Sequence, residues 1–167
     1  SNVEIIHIFL TEKCSEKYPD LAENEKAILI SDSVLSKISE NNAPEGIVCT
    51  AKYMTNLHKK YSEDDIDLSS ACLILSTVQD PGNLGTILRT AEALNVTGIV
   101  LSADCCDIYS PKVVRGSMGA VFRLPFVVSD TISGYLNAHS ELESYAAVVS
   151  ASADKITTTP FVSPCIV

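Results

Sequence analysis

Ala71-Cys72-Leu73-Ile74-Leu75-Ser76-Thr77-Val78 runs directly into Gln79-Asp80-Pro81-Gly82-Asn83-Leu84-Gly85-Thr86-Ile87-Leu88-Arg89-Thr90-Ala91-Glu92-Ala93. Ala71–Val78 is strongly apolar without alternation, interrupted only by Ser76-Thr77, and reads as a strand buried on both faces. Gln79–Gly85 then reads as a loop. Leu84, Ile87, Leu88, Ala91 and Leu94 recur at helical spacing. Strand, short loop and amphipathic helix form half of a βαβ unit, and ligands in such sheets bind at the carboxyl ends of strands. Gly82 and Gly85 allow a tight turn and close backbone approach. The glycine spacing matches neither the P-loop nor the dinucleotide fingerprint. By pattern alone this stretch reads equally as a ligand loop or as an ordinary strand-to-helix connection.

Outward from there the same alternation continues. Gly98–Leu101 reads as a strand, and Ser110-Pro111 opens a short helix with Ser as N-cap and Pro at the first position. Val121–Val128 reads as a strand that Pro125 confines to an edge or a bulge. Ile132–Leu142 reads as a weaker helix, Tyr145–Ala151 as a strand, and Cys165–Val167 as the opening of another. This order predicts a Rossmann-like parallel sheet covered on both sides, over residues 71–167.

Residues 1–54 form a separate small α/β segment. Strands are expected at Val3–Leu10, Ala27–Ile30 and Ile47–Thr50. A short helix is expected before Pro19, and another capped by Asp32, with a turn at Asn41–Gly46. Residues 55–70 carry Lys59-Lys60 and Glu63-Asp64-Asp65 with little apolar periodicity, and read as a linker. Ser1-Asn2-Val3 lacks a starting Met and resembles a scar of tag removal.

The chain has 167 residues, 46% hydrophobic and 20% charged, with a net charge of −9. That charge argues against nucleic acid as a partner of the whole surface, because phosphate binding draws on Lys and Arg. The stretch from Lys112 to Arg123 is the exception, with three basic residues and no acid. No apolar run approaches the ~20 residues that span a bilayer, so no membrane partner is expected. Six cysteines without C-x-x-C spacing and only three His point to no metal site. Cys72 and Cys165 lie in apolar runs and read as buried free thiols, which fits a reducing, cytoplasmic setting. Cys105-Cys106 read as structural, His7 as a core histidine, and His58 and His139 as surface residues.

Asp80-Pro81, Asn83, Gly85 and Arg89-Thr90-Ala91 resemble the first signature motif of the SpoU (TrmH-like) RNA ribose 2′-O-methyltransferases of the SPOUT superfamily. A second block, Ser110-Pro111-Lys112-Val113-Val114-Arg115-Gly116-Ser117-Met118-Gly119-Ala120 with Phe122-Arg123-Leu124-Pro125, is similar to that family at matching spacings. The first segment, with Pro44-Glu45-Gly46-Ile47-Val48, resembles the family's ribosomal-protein-like RNA-binding domain, lacking its beginning. The resemblance implies methyl transfer from S-adenosylmethionine to a ribose 2′-oxygen of rRNA or tRNA, without metal, by a homodimer. It makes Arg89 and Asn83 the catalytic candidates. Arg89 would bind phosphate and help a developing alkoxide, since its pKa above ~12 makes it a poor base. Lys112, Arg115, Ser117 and Arg123 become RNA-contact candidates, forming one basic face with Arg89. Ser150 and Ala151 become cofactor-contact candidates. In the family a Gly-Asn-Glu loop, a Ser-Leu-Asn motif and a knotted final helix bind the donor and form the dimer. None of these occurs in the 167 residues, so a C-terminally incomplete, inactive domain is expected.

Plainer roles compete at each position. Arg89 pairs equally well with Glu92 one turn on, Asn83 can be only a helix cap, and the basic block can be a solvated helix face. Two other functions stay open: a non-catalytic RNA-binding module, and a small domain that binds nucleotide phosphates through Pro81–Gly85.

Overall fold

The computed structural model describes residues 3–39, 41, 43–52 and 66–167. The chain divides into two compact units, Ser1–Met54 and Thr55–Val167. Lys59-Lys60, the acidic run at 63–65 and His58 lie outside the described residues.

The first unit holds β1 (Ile5–Leu10), α1 (Glu12–Lys17), α2 (Pro19–Ala22), β2 (Ala27–Leu29), α3 (Asp32–Ile38) and β3 (Ile47–Ala51). Its sheet has the order β2-β1-β3, with β1 parallel to β2 and antiparallel to β3. Ile8 and Leu10 point inward and meet Cys14, Ala22, Ala27 and Ile47. The period of two therefore turns His7 outward. It is exposed, hydrogen-bonded to Thr50 Oγ1 at 3.2 Å, which corrects its reading as a core residue. The cap of α3 is Ser31, whose hydroxyl accepts from the Val34 N–H; Asp32 is the first helical residue rather than the cap. Gly46 has φ +95°, and a Cβ there would sit 2.9 Å from Thr11 Oγ1, so this turn requires glycine.

The second unit is built on β4 (Ala71–Leu75), α4 (Pro81–Ala93), β5 (Gly98–Ser102), α5 (Pro111–Gly116), a 3₁₀ turn (Ala120–Phe122), β6 (Phe126–Ser129), α6 (Ile132–Ala138), β7 (Glu143–Ser144) and β8 (Cys165–Ile166). All strand pairs are parallel, in the order β6-β5-β4-β8-β7. One face carries Leu75, Ile99, Leu101 and Phe126 against Leu84, Leu88 and Ala91 of α4 and Val113 of α5. The other carries Cys72, Val100, Val127 and Ile166 against Tyr135 of α6. Both faces are thus covered, as near-continuous apolar strands require. Ile66 joins this second cluster, and a Cβ on Gly98 would collide with its Cγ2. The end of the segment read as a linker therefore packs as part of the unit.

Three strand expectations change. The first strand of this unit ends at Leu75 rather than Val78, because Thr77 leaves the extended region with φ +57°. The segment before Pro125 forms a 3₁₀ turn after Gly119, which has φ +84°, so the strand begins only at Phe126. Pro125 precedes it and needs only to accept, from the Ile99 N–H at 3.1 Å; β6 does lie at the sheet edge. Tyr145–Ala151 is not a strand. Only Glu143 and Ser144 pair with Cys165 and Ile166, and after the Tyr145 N–H bond to Ile166 O no further ladder partner follows among the described residues.

Candidate functional site

Strand order reverses at β4: the chain fills β5 and β6 on one side, then β8 and β7 on the other. The crevice at the carboxyl end of β4 is the switch point of the sheet, where such folds bind ligands. The loop Ser76–Asp80 and the first turn of α4 occupy it. Asp80 is the N-cap of α4: its Oδ1 accepts from the Asn83 N–H at 2.8 Å, and Pro81 stands at the first helical position. Asn83 is not the cap, because the chain leaves extended backbone at Asp80, three residues earlier, and the Asn83 side chain is left exposed. The bond from Asn83, with help from Lys112, holds the Asp80 carboxyl below its ordinary value.

The second motif block is brought against the first by backbone contact. A Cβ on Gly85 would lie 2.9 Å from the carbonyl carbon of Gly116 and 3.0 Å from Ser117 N. Gly85, read from the sequence as the end of a loop, lies inside α4, which already begins at Pro81; the close backbone approach expected of it is made to α5. Ser117 is fully buried behind the crossing and its hydroxyl donates to Val114 O at 2.9 Å. As placed, it packs the crossing and offers no exposed group to RNA.

Arg89 and Arg115 are exposed. Neither has a hydrogen-bond or ion-pair partner among the described residues. Glu92, the alternative partner of Arg89, is bound by Arg123 through two parallel bonds, Nε to Oε1 and Nη2 to Oε2. That pairing lowers the Glu92 pKa. Lys112 faces Asp80 at 3.7 Å. Lys112 and Arg123 therefore stand near opposite ends of α4, roughly 18 Å apart at 1.5 Å per residue, each beside a carboxylate. Of the four cations expected to form one basic face, Lys112 and Arg123 thus each meet a carboxylate, a pairing that sequence spacing could not show.

Ser150 and Ala151 lie in an exposed irregular stretch. Their neighbours Val149, Ser152, Ala153 and Asp154, with Tyr145 and Phe161, line a cavity of about 730 Å³ beside β7 and β8. The Tyr145 hydroxyl accepts from the Val162 N–H at 3.0 Å, and its ring packs on Phe161 at 4.6 Å between centroids, closing the loop on itself. Among the described residues no group of three or more His, Cys, Asp or Glu could hold a metal ion, and no helix is long and apolar enough to cross a membrane.

A parallel sheet whose strand order reverses at β4, two helices touching through glycines, and an exposed arginine on the first of them define a recognisable class. The sequence profile of the SpoU rRNA Methylase family matches residues 70–167. The chain belongs to this family, and its fold is that of the SpoU/TrmH methyltransferases. It is 40% identical over 124 residues to an uncharacterised tRNA/rRNA methyltransferase of Synechocystis, covering 71% of this chain and 43% of that protein. With the 23S rRNA (guanosine(2553)-2′-O)-methyltransferase of Bacillus subtilis it shares 29% identity over 108 residues, 65% of this chain and 40% of the relative. An AdoMet-bound rRNA methyltransferase from Sinorhizobium meliloti superposes with a TM-score of 0.62 at 27% identity, covering 82% of this chain and 52% of that one. The chain spans less than half the length of these two curated relatives.

Proposed function

We propose that this chain carries the substrate-contact face and part of the donor pocket of an S-adenosylmethionine-dependent RNA ribose 2′-O-methyltransferase acting on rRNA or tRNA. The observation that carries this reading is Arg89: an exposed guanidinium without an ionic partner among the described residues, on a helix whose neighbouring acids Asp80 and Glu92 are each matched to another cation. A planar fork left open in this way suits one non-bridging pair of phosphate oxygens.

The cavity beside β7 and β8 has the size of small-ligand sites, and its mixture of Ser, Thr, Asp and apolar side chains fits a nucleoside carrying a charged tail. Bound S-adenosylmethionine supplies the electrophilic methyl group. Arg89 grips the phosphate beside the target ribose and stabilises negative charge as the 2′-oxygen attacks. Asn83, exposed at the start of the same helix, orients the ribose through its amide. Arg115 adds a second phosphate contact, which positions without reading sequence. Lys112 and Arg123 join only where RNA competes with Asp80 and Glu92. The unit of residues 1–54 serves as the RNA substrate-binding domain, and residues 71–167 as the methyltransferase domain. The protein works as a cytoplasmic homodimer.

The test is transfer of labelled methyl from S-adenosylmethionine to rRNA by the whole protein, followed by mapping of the resistant 2′-O-methyl linkage. Arg89→Ala should lower turnover by roughly 100-fold or more with donor affinity nearly unchanged. Normal turnover in that variant removes Arg89 from the mechanism. RNA binding without any transfer by the wild type replaces the enzyme with a non-catalytic RNA-binding module.

A further inference from the structure

The segment that leaves β4 is held from outside its own strand. Thr77 has φ +57°, a left-handed conformation that a β-branched residue adopts only under constraint. Its N–H donates to Ser102 Oγ at 2.9 Å, and its hydroxyl donates to Asp104 Oδ2 at 2.8 Å. The Ser102 hydroxyl in turn donates to Asp104 Oδ1. At the next residue, the Val78 N–H donates to Cys105 Sγ at 3.3 Å, and Val78 O accepts from the Cys106 N–H at 2.9 Å. The Cys105 thiol also donates to Leu75 O at 3.3 Å. On the β4 side the backbone groups named here belong to Leu75, Thr77 and Val78, just before Gln79-Asp80, where α4 is capped. All partners come from the last residue of β5, Ser102, and the turn that follows it, to Cys106.

We infer that this turn is the positioning element for the motif loop, with Asp104 as its keystone: by holding Thr77 in the left-handed region it sets where Asp80 caps α4 and so where Asn83 meets the substrate. The carboxylate is the one group that accepts from both Thr77 and Ser102, and it does so with its two oxygens. Removing it leaves the unfavourable Thr77 conformation with one anchor, the Ser102 hydroxyl, which is then itself free to rotate. The residue acts through the loop and does not touch the reacting atoms. The role in catalysis rests on the methyltransferase reading above, whereas the role in holding the loop does not.

Two measurements separate these. In the 167-residue chain, amide hydrogen exchange at Thr77, Val78 and Cys106 should accelerate by roughly tenfold in Asp104→Ala, with the core strands unchanged, as for a local opening. In the whole protein, Asp104→Ala should lower kcat by roughly tenfold while leaving KM for RNA and donor affinity in place. Asp104→Asn should recover part of that loss, because an amide can still accept from Thr77 and donate to Ser102. Thr77→Gly makes the left-handed conformation easy but removes the hydroxyl anchor; it should keep the thermal midpoint and still lower kcat. Wild-type exchange at Thr77, Val78 and Cys106 in Asp104→Ala overturns the inference. So does a kcat that falls only in proportion to the folded fraction, without recovery by Asn. Accelerated exchange with a wild type that methylates no RNA supports the loop assignment and sinks only the reading it would serve.

Discussion

Arg89 and Arg123 show how little a charge's sequence neighbours say about its partner. Glu92 lies one turn from Arg89 on the same helix, yet it binds Arg123, 31 positions away, in a two-point fork. The fork geometry of guanidinium and carboxylate outweighs helical spacing, whose pairs contribute only ~0.2–0.5 kcal/mol. Arg89 stays exposed, without an ion-pair partner among the described residues. Asp80 illustrates the same point for a cap. Its folded pKa is depressed, first by the Asn83 N–H and further by Lys112. A depressed carboxylate stabilises the fold above its unfolded pKa, and that contribution is lost as pH falls through the folded value. Asp80→Asn keeps an oxygen cap but cannot ionise. The gap in thermal midpoint between wild type and Asp80→Asn should therefore be constant at neutral pH and shrink once pH drops below the ordinary 3.8. A gap that stays unchanged through that range would show that the charge on Asp80 does not contribute to holding the helix.

Elements are joined by contacts that depend on what a residue lacks. α4 and α5 meet backbone to backbone because neither Gly85 nor Gly116 carries a Cβ. Gly85→Ala should push the two helices apart and destabilise the unit by roughly 1–3 kcal/mol, the usual cost of overpacking a close contact. Urea denaturation of the pair of proteins reads this directly. An unchanged midpoint would mean that the helices shift without cost. The amphipathic period of α4, the Ser110-Pro111 start of α5 and the alternation of strand and helix were legible from the residues, because each depends on neighbours within a turn or two. The loss of the Tyr145–Ala151 strand was not. A strand exists only where a ladder partner runs beside it, and β8 pairs with just two residues.

Over the molecule as a whole, apolar surface is distributed unevenly. Val148, Val149, Ile156, Phe161 and Val162 are 48–109% exposed around the cavity beside β7 and β8, an unusual concentration for a monomer. A ligand seated there would keep much of its surface in water, whereas effective sites bury ~70–90% of it. The 167-residue polypeptide should therefore give no detectable heat with S-adenosylmethionine in calorimetry, and should self-associate as its concentration rises in sedimentation. A micromolar dissociation constant would place the donor site elsewhere. The net charge of −9 concealed the local picture, since Arg89 and Arg115 are exposed and meet no acid among the described residues.

What the order of residues determined unaided was the fold class, the family resemblance, and the stretch Asp80–Ala91 with its exposed arginine. These follow from periodicity, turn chemistry and motif spacing, all short-range properties of a chain. Only the tertiary structure decided that Ser117 is buried, that Arg123 and Lys112 are matched by Glu92 and Asp80, that His7 faces outward, and that Asp104 reaches Thr77. Each of those depends on which distant side chain fills the space opposite, and a packed interior assigns that through volume and hydrogen-bond geometry rather than through distance along the sequence.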